Sequence, residues 1–109
     1  MFKRTPISMS SYLVAVVIAK YNHTLPIKFN SFYPDLEKGV LKELKTWGDP
    51  KLLETENVKK FHNETQEIIK AFTDKFKVGY AFKKLDQVLV RRFPYKGMEN
   101  FGLIFYEAE

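Results

Sequence analysis

Few side chains in this sequence have the types and spacing for chemistry. It contains two histidines and no cysteine. That excludes disulfides, thiolate nucleophiles and thiolate metal sites. His23 and His62 stand far apart and fit no metal-ligand spacing. His62-Asn63-Glu64 is no substitute, because one histidine cannot make a three-ligand site. Both are expected to be surface or partly buried residues, and no motif supports a Ser/His/Asp system. The residue that stands out is Glu99. It lies in Lys96-Gly97-Met98-Glu99-Asn100-Phe101-Gly102, a turn feeding the short apolar run of residues 103–106. A carboxylate between a tight loop and an apolar strand is either solvated at the strand mouth or held there to meet a cation.

Other elements must position that loop. Residues 12–19 are rich in valine and isoleucine and bounded by polar residues, which predicts a strand. The basic start Met1-Phe2-Lys3-Arg4 leaves a signal peptide as the second reading, while the apolar run is too short to span a bilayer as a helix. Residues 26–33 alternate imperfectly and predict a second strand. Pro34-Asp35 suits a helix start. Leu36, Val40, Leu41, Leu44 and Trp47 then recur at helical spacing up to Gly48, so a helix is expected over 34–47. Asp49-Pro50 opens another helical stretch. From Val58 the stripe of Phe61, Ile68, Ile69, Phe72 and Phe76 predicts an amphipathic helix through 61–76, ended by Gly79. A break near 55–57 is left open. Residues 85–93 predict a third strand and 103–106 a last one. The order gives an α+β domain, a mixed sheet with helices packed on one face.

At 109 residues the chain is one domain at most, and 45% hydrophobic with 16% aromatic residues is a globular composition. Lysine and arginine number 18 against 13 acids. Without helix-turn-helix, zinc-finger or aromatic RNA-binding spacing, that excess reads as a solvated lysine surface, and no nucleic acid partner is expected. Asn22-His23-Thr24 and Asn63-Glu64-Thr65 fit the N-glycosylation pattern, which matters only if the chain enters the secretory pathway.

Lys96 to Gly102 resembles the exopeptidase motif Gly-x-Met-Glu-Asn of the zinc aminopeptidase family of the membrane alanyl aminopeptidase type. The likeness extends to Lys84-Leu85-Asp86, similar to the family's Pro-Lys-Leu-Asp. It continues through Asn100-Phe101-Gly102-Leu103-Ile104-Phe105-Tyr106-Glu107, and Met9-Ser10-Ser11-Tyr12-Leu13 is similar to its Met-Ser-Thr-Tyr-Leu strand. The resemblance implies a partial thermolysin-like catalytic domain over residues 1–109, without the N-terminal β domain and the zinc-binding helices. It implies that Glu99 pairs with the free α-ammonium of a peptide, that Gly97 and Met98 lend backbone to the substrate groove, and that Asn100 braces the loop. Peptide N-termini are thus the implied partner. Where the family has its first glycine this chain has Lys96, a cation expected near Glu99 as a competitor for the substrate amine. Family members are extracellular, membrane-anchored or cytoplasmic, and the resemblance does not choose among these for this chain.

Two functions follow. One is a fragment of a zinc aminopeptidase that carries amine recognition without the metal; the other is a non-catalytic peptide- or protein-binding module using the same loop and sheet edge. Self-association through an exposed edge at residues 103–106 is also expected, since little chain remains after Phe105 to shield that strand. The family's zinc needs His-Glu-x-x-His plus a further glutamate, a set this sequence lacks. The chain alone should therefore bind no stoichiometric zinc and release no amino acid from an aminoacyl reporter. Metal analysis and a chelator-controlled assay check this, and chelator-sensitive hydrolysis would refute it.

Overall fold

In the computed structural model, which describes residues 7–30 and 41–108, three parallel strands form the centre of the sheet. They are β3 (Lys42–Gly48), β4 (Lys84–Val90) and β6 (Leu103–Glu107). Parallel neighbours need a crossover, and the one from β3 to β4 is helical. It consists of α1 (Pro50–Leu53) and α2 (Glu56–Phe76). Two short strands, β1 (Asn22–His23) and β2 (Ile27–Phe29), pair antiparallel with β3 on one side. The two-residue strand β5 (Gly97–Met98) pairs antiparallel with β6 on the other. The sheet order is β1-β3-β4-β6-β5, with β2 also on β3. The α+β architecture, a mixed sheet with α2 over one face, is as the sequence predicts.

Two segments differ from expectation. Residues 42–48 form a strand, not the second half of a helix; the expected helix over 34–40 lies outside the described residues. Lys42, Leu44, Thr46 and Gly48 are buried, alternating with half-buried Glu43, Lys45 and Trp47. Leu41, Leu44 and Trp47 also fall three residues apart, so so few large apolar residues fit both periods. Pairing on both sides decides for the strand. In the second segment, residues 12–19 hold no strand: a single 3-10 turn (Ser11–Leu13) precedes residues that join no ladder. Leu13 is buried, and Val14, Val16 and Ile18 point to solvent, Ile18 being 96% exposed. Val17 and Ala19 line a cleft with Trp47, Asp86, Val88 and Leu103, but the segment pairs with no described strand. No helix among the described residues is long and apolar enough to cross a membrane.

Asp49 caps α1 through its Oδ1, which accepts from Lys51 N at 2.9 Å, and Pro50 occupies the first turn. The chain breaks at Glu54-Thr55 and restarts as α2, resolving the break that the sequence left open. Helix α2 ends at Lys77, whose φ of 56° is left-handed, two residues before the predicted stop at Gly79. Its sheet-facing residues are Val58, Phe61, His62, Thr65 and Ile69. Ile69 packs on the core of Phe29, Leu44 and Leu85. Phe61 meets Tyr106 edge-on with ring centroids 5.1 Å apart. Ile68, Phe72 and Phe76, read from sequence as the same apolar stripe, are exposed, and Phe72 stacks on Phe76.

The last strand is covered in part. Leu103 to Glu107 pairs with β4 along its length and with β5 at Phe105 and Tyr106, and its side chains are half-buried. Of the edge expected at residues 103–106, the outer backbone of Leu103 and Ile104 joins no described strand. Leu44 is fully buried in the small core. A Leu44→Ala substitution should destabilise the chain by about 2–5 kcal/mol. Urea denaturation would measure it, and a loss below about 1 kcal/mol would mean that the core closes elsewhere.

Candidate substrate-amine loop

The loop between β5 and β6 is held by stretches far away in sequence. Asn100 is buried, and its Nδ2 donates to the Tyr12 carbonyl at 3.3 Å. The next residue continues the clamp: Phe101 N donates to the Leu13 carbonyl at 3.2 Å. The 3-10 turn Ser11–Leu13 thus presents two successive carbonyls to the loop. Gly102 then turns with φ of 72°, the left-handed region in which glycine carries no penalty. Its carbonyl accepts from Asp86 N at 3.0 Å and from Lys84 Nζ at 2.9 Å. Lys84 also pairs with Asp86 at 2.6 Å, and Asp86 Oδ1 accepts from Trp47 Nε1 at 2.8 Å. The stretches 9–13, 84–86 and 97–107, separate in sequence, meet at this one loop.

Gly97 and Met98 form the outer strand of the sheet. Gly97 is exposed, and a Cβ there would meet Phe105 O at 3.5 Å, an ordinary contact. No left-handed backbone demands glycine there; its bareness leaves the outer backbone open. Met98 is half-buried against that edge. Glu99 is exposed, and its carboxylate takes no hydrogen bond or ion pair among the described residues. Lys96 lies elsewhere than the sequence reading expects. Its Nζ reaches across the β5–β6 pair to Glu107 Oε2 at 2.7 Å. The expected competitor for Glu99 is engaged with another carboxylate.

The histidines do not approach this loop's carboxylate in any metal-binding group: among the described residues no cluster of three His, Cys, Asp or Glu could hold a metal. His23 is exposed, bonds the Thr24 carbonyl through Nδ1 at 2.7 Å, and meets Trp47 edge-on. His62 is more buried than its sequence suggests, 5% exposed, with its ring nitrogens on Thr46 Oγ1 and the Leu25 carbonyl. The donor set among the described residues does not fit catalytic zinc. Sequence reading also missed the buried polar side chains Thr46, Thr65 and Gln87 around that ring. No signal in a single sequence marks a threonine or glutamine as buried.

Residues 61–109 match the Peptidase family M1 domain. The match takes in α2 from Phe61 onward, β4 and the whole β5–β6 loop. Residues 61–109 thus resemble a stretch of zinc aminopeptidase domain. The chain is similar to Aminopeptidase N of Bos taurus, at 26% identity over 96% of this chain and 10% of that protein. To the Alanine/arginine aminopeptidase of Saccharomyces cerevisiae it is 30% identical over 98% of this chain and 11% of that protein. A shorter stretch of 44 residues, 39% of this chain and 4% of the relative, is 48% identical to the Thyrotropin-releasing hormone-degrading ectoenzyme of Homo sapiens. This aminopeptidase stretch spans about a tenth of the length of the first two relatives. Both align with nearly all of it, so the likeness is not confined to the motif.

In the aminopeptidase stretch, Asn100→Ala leaves the Tyr12 carbonyl without its donor. The expected loss is about 1–2 kcal/mol. Faster exchange of the Phe101 amide should accompany it, because the clamp is a pair of adjacent bonds. Denaturation with hydrogen exchange checks both; an unchanged Phe101 amide would show that the Asn100 bond does not hold the loop.

Proposed function

We propose that this chain is the part of an aminopeptidase that recognises the substrate's free α-amine, with Glu99 as the group that meets it. The observation that carries the reading is a carboxylate without a partner among the described residues, on a loop tied by the Asn100 side chain and by the backbone at Phe101 and Gly102. A peptide ammonium offers three donors to that acceptor, and a charge-assisted hydrogen bond is about twice as strong as a neutral one. An internal residue of a polypeptide has an amide instead, so the pairing selects chain ends. Gly97 and Met98 supply an unpaired strand edge along which an extended peptide can add main-chain hydrogen bonds. Asn100 acts as a positioning residue through its bond to Tyr12, not as a contact to the peptide.

Hydrolysis belongs to chemistry this stretch does not hold. The family uses zinc to polarise the scissile carbonyl and to activate water. The residues here bind and orient; they do not cleave.

The test is a titration of the chain, followed by amide NMR, with a short peptide carrying a free N-terminus and with its N-acetylated form. Shifts should centre on residues 97–101 and occur with the free amine alone. Glu99→Gln keeps the shape and removes the charge, and should weaken binding about fivefold, since an ammonium beside an exposed carboxylate gains about 1 kcal/mol. Equal binding of both peptides would overturn amine recognition and favour a general peptide-binding edge.

A further inference from the structure

The edge strand on β3 is broken. In β1 the register pairs His23 with Trp47, and in β2 it pairs Ile27 with Leu44, so one extra residue lies between them, a bulge at residues 24–26. Pro26 has no N–H to give the ladder. Thr24 repairs part of the break: its N donates to Thr46 O at 2.9 Å, and its Oγ1 accepts from Thr46 N at 3.1 Å. The Leu25 carbonyl is satisfied from the helix, by His62 Nε2 at 3.0 Å.

The proton count around His62 follows from that bond. A carbonyl only accepts, so Nε2 carries a hydrogen. In the neutral ring Nδ1 is then an acceptor, and Thr46 Oγ1 at 2.8 Å donates to it. Gln87 Nε2 donates to Thr65 Oγ1 at 3.0 Å, and the one hydrogen of that hydroxyl has the Phe61 carbonyl at 2.9 Å and Gln87 Oε1 at 3.3 Å as alternative acceptors. If Nδ1 gains a proton, it becomes the donor to Thr46. The Thr46 hydroxyl then turns to Gln87 Oε1, 3.1 Å away. Both charge states thus have a complete hydrogen-bond set, differing by one hydroxyl rotation. What the charged state lacks is a counter-ion. Thr46 from β3, Thr65 from α2 and Gln87 from β4 are uncharged; Lys42, on the same face of β3, lies over the Tyr80 ring. His23, next to the bulge, is exposed.

We propose that His62 is an acid-sensitive latch: its neutral Nε2–H form fastens the bulge of the edge strand to α2, and a proton on Nδ1 releases the bulge while α2, β4 and β6 stay folded. The bulge yields first because β1 has two residues and β2 three, and Leu25 beside the ring is 88% exposed. Burial holds the ring below its ordinary range, with the Leu25 bond opposing. An opened ring titrates near 6.5, so the closed form keeps its full advantage above about pH 6.5 and loses it as pH falls toward the lower closed value.

Nitrogen-detected imidazole spectra and amide exchange of the full chain test this. At pH 7.5 the His62 ring should be the Nε2–H tautomer. After correction for intrinsic chemistry, opening of the Thr24 and Thr46 amides should rise by up to about tenfold for each pH unit below about 6.5, with α2 and β4 amides unaffected. His62→Gln should flatten that response and His23→Gln should leave it. Should the first variant not fold, Thr46→Val serves: without an acceptor at Nδ1 the rise should persist to lower pH. An Nδ1–H tautomer, a flat Thr24 profile, or equal acceleration in every strand would overturn the latch.

Discussion

Gln87 lies in the middle strand of the sheet and is 1% exposed. A buried amide without partners loses the full desolvation penalty, about 1–3 kcal/mol per unpaired group. Helix α2 can therefore dock only where it offers partners, and Thr65 does so by accepting from the Gln87 amide. Thr46, from the adjacent strand, closes the network on its other side. No buried side-chain nitrogen or oxygen among the described residues is left without a partner. Apolar contacts alone would let a helix slide by a turn along a strand; this layer forbids it. The polar layer fixes the register of the crossover, and the small core of Phe29, Leu44 and Leu85 gains from a helix already placed.

The same layer explains a sheet edge built from fragments. A regular antiparallel strand beside β3 would satisfy its own carbonyls and leave His62 without an acceptor. The bulge turns the Leu25 carbonyl toward the helix, and Thr24 lends a side-chain oxygen where the ladder lacks a backbone one. Strand, helix and bulge are thus coupled through single atoms, so local opening there is coupled to the charge of one ring.

How far this was legible depended on whether one pattern had one solution. Helix α2 was plain, because Val58, Phe61 and Ile69 repeat over many turns. Strand β4 was plain as well, with Val88, Leu89 and Val90 in a run. Strand β3 was not, since Leu41, Leu44 and Trp47 serve either period and its other inward positions are Lys42, Thr46 and Gly48. The valines of 14–18 gave a strand signal without a described partner, because propensity says nothing of what lies alongside. At the loop, the resemblance singled out Glu99 and a bracing role for Asn100. It could not reveal which atoms Asn100 holds, as Tyr12 and Leu13 contribute only backbone carbonyls.

The charges around the loop complete the argument for its proposed role. The lysines nearest to Glu99 along the fold have carboxylates of their own: Lys84 meets Asp86, and Lys96 meets Glu107. Each pair is exposed at the lysine and is worth at most about 1 kcal/mol. Their effect is one of placement, since they hold two cations away from Glu99, which has no ion pair among the described residues. In open water a peptide ammonium 4 Å from Glu99 gains only about 1 kcal/mol; the same contact with water excluded gains several times more. In the proposed role the loop sets where the amine sits, and the strength of the contact depends on surfaces that close over it. Amine recognition and affinity are separable, with the first written in Glu99 and its backbone ties and the second in whatever walls the cleft.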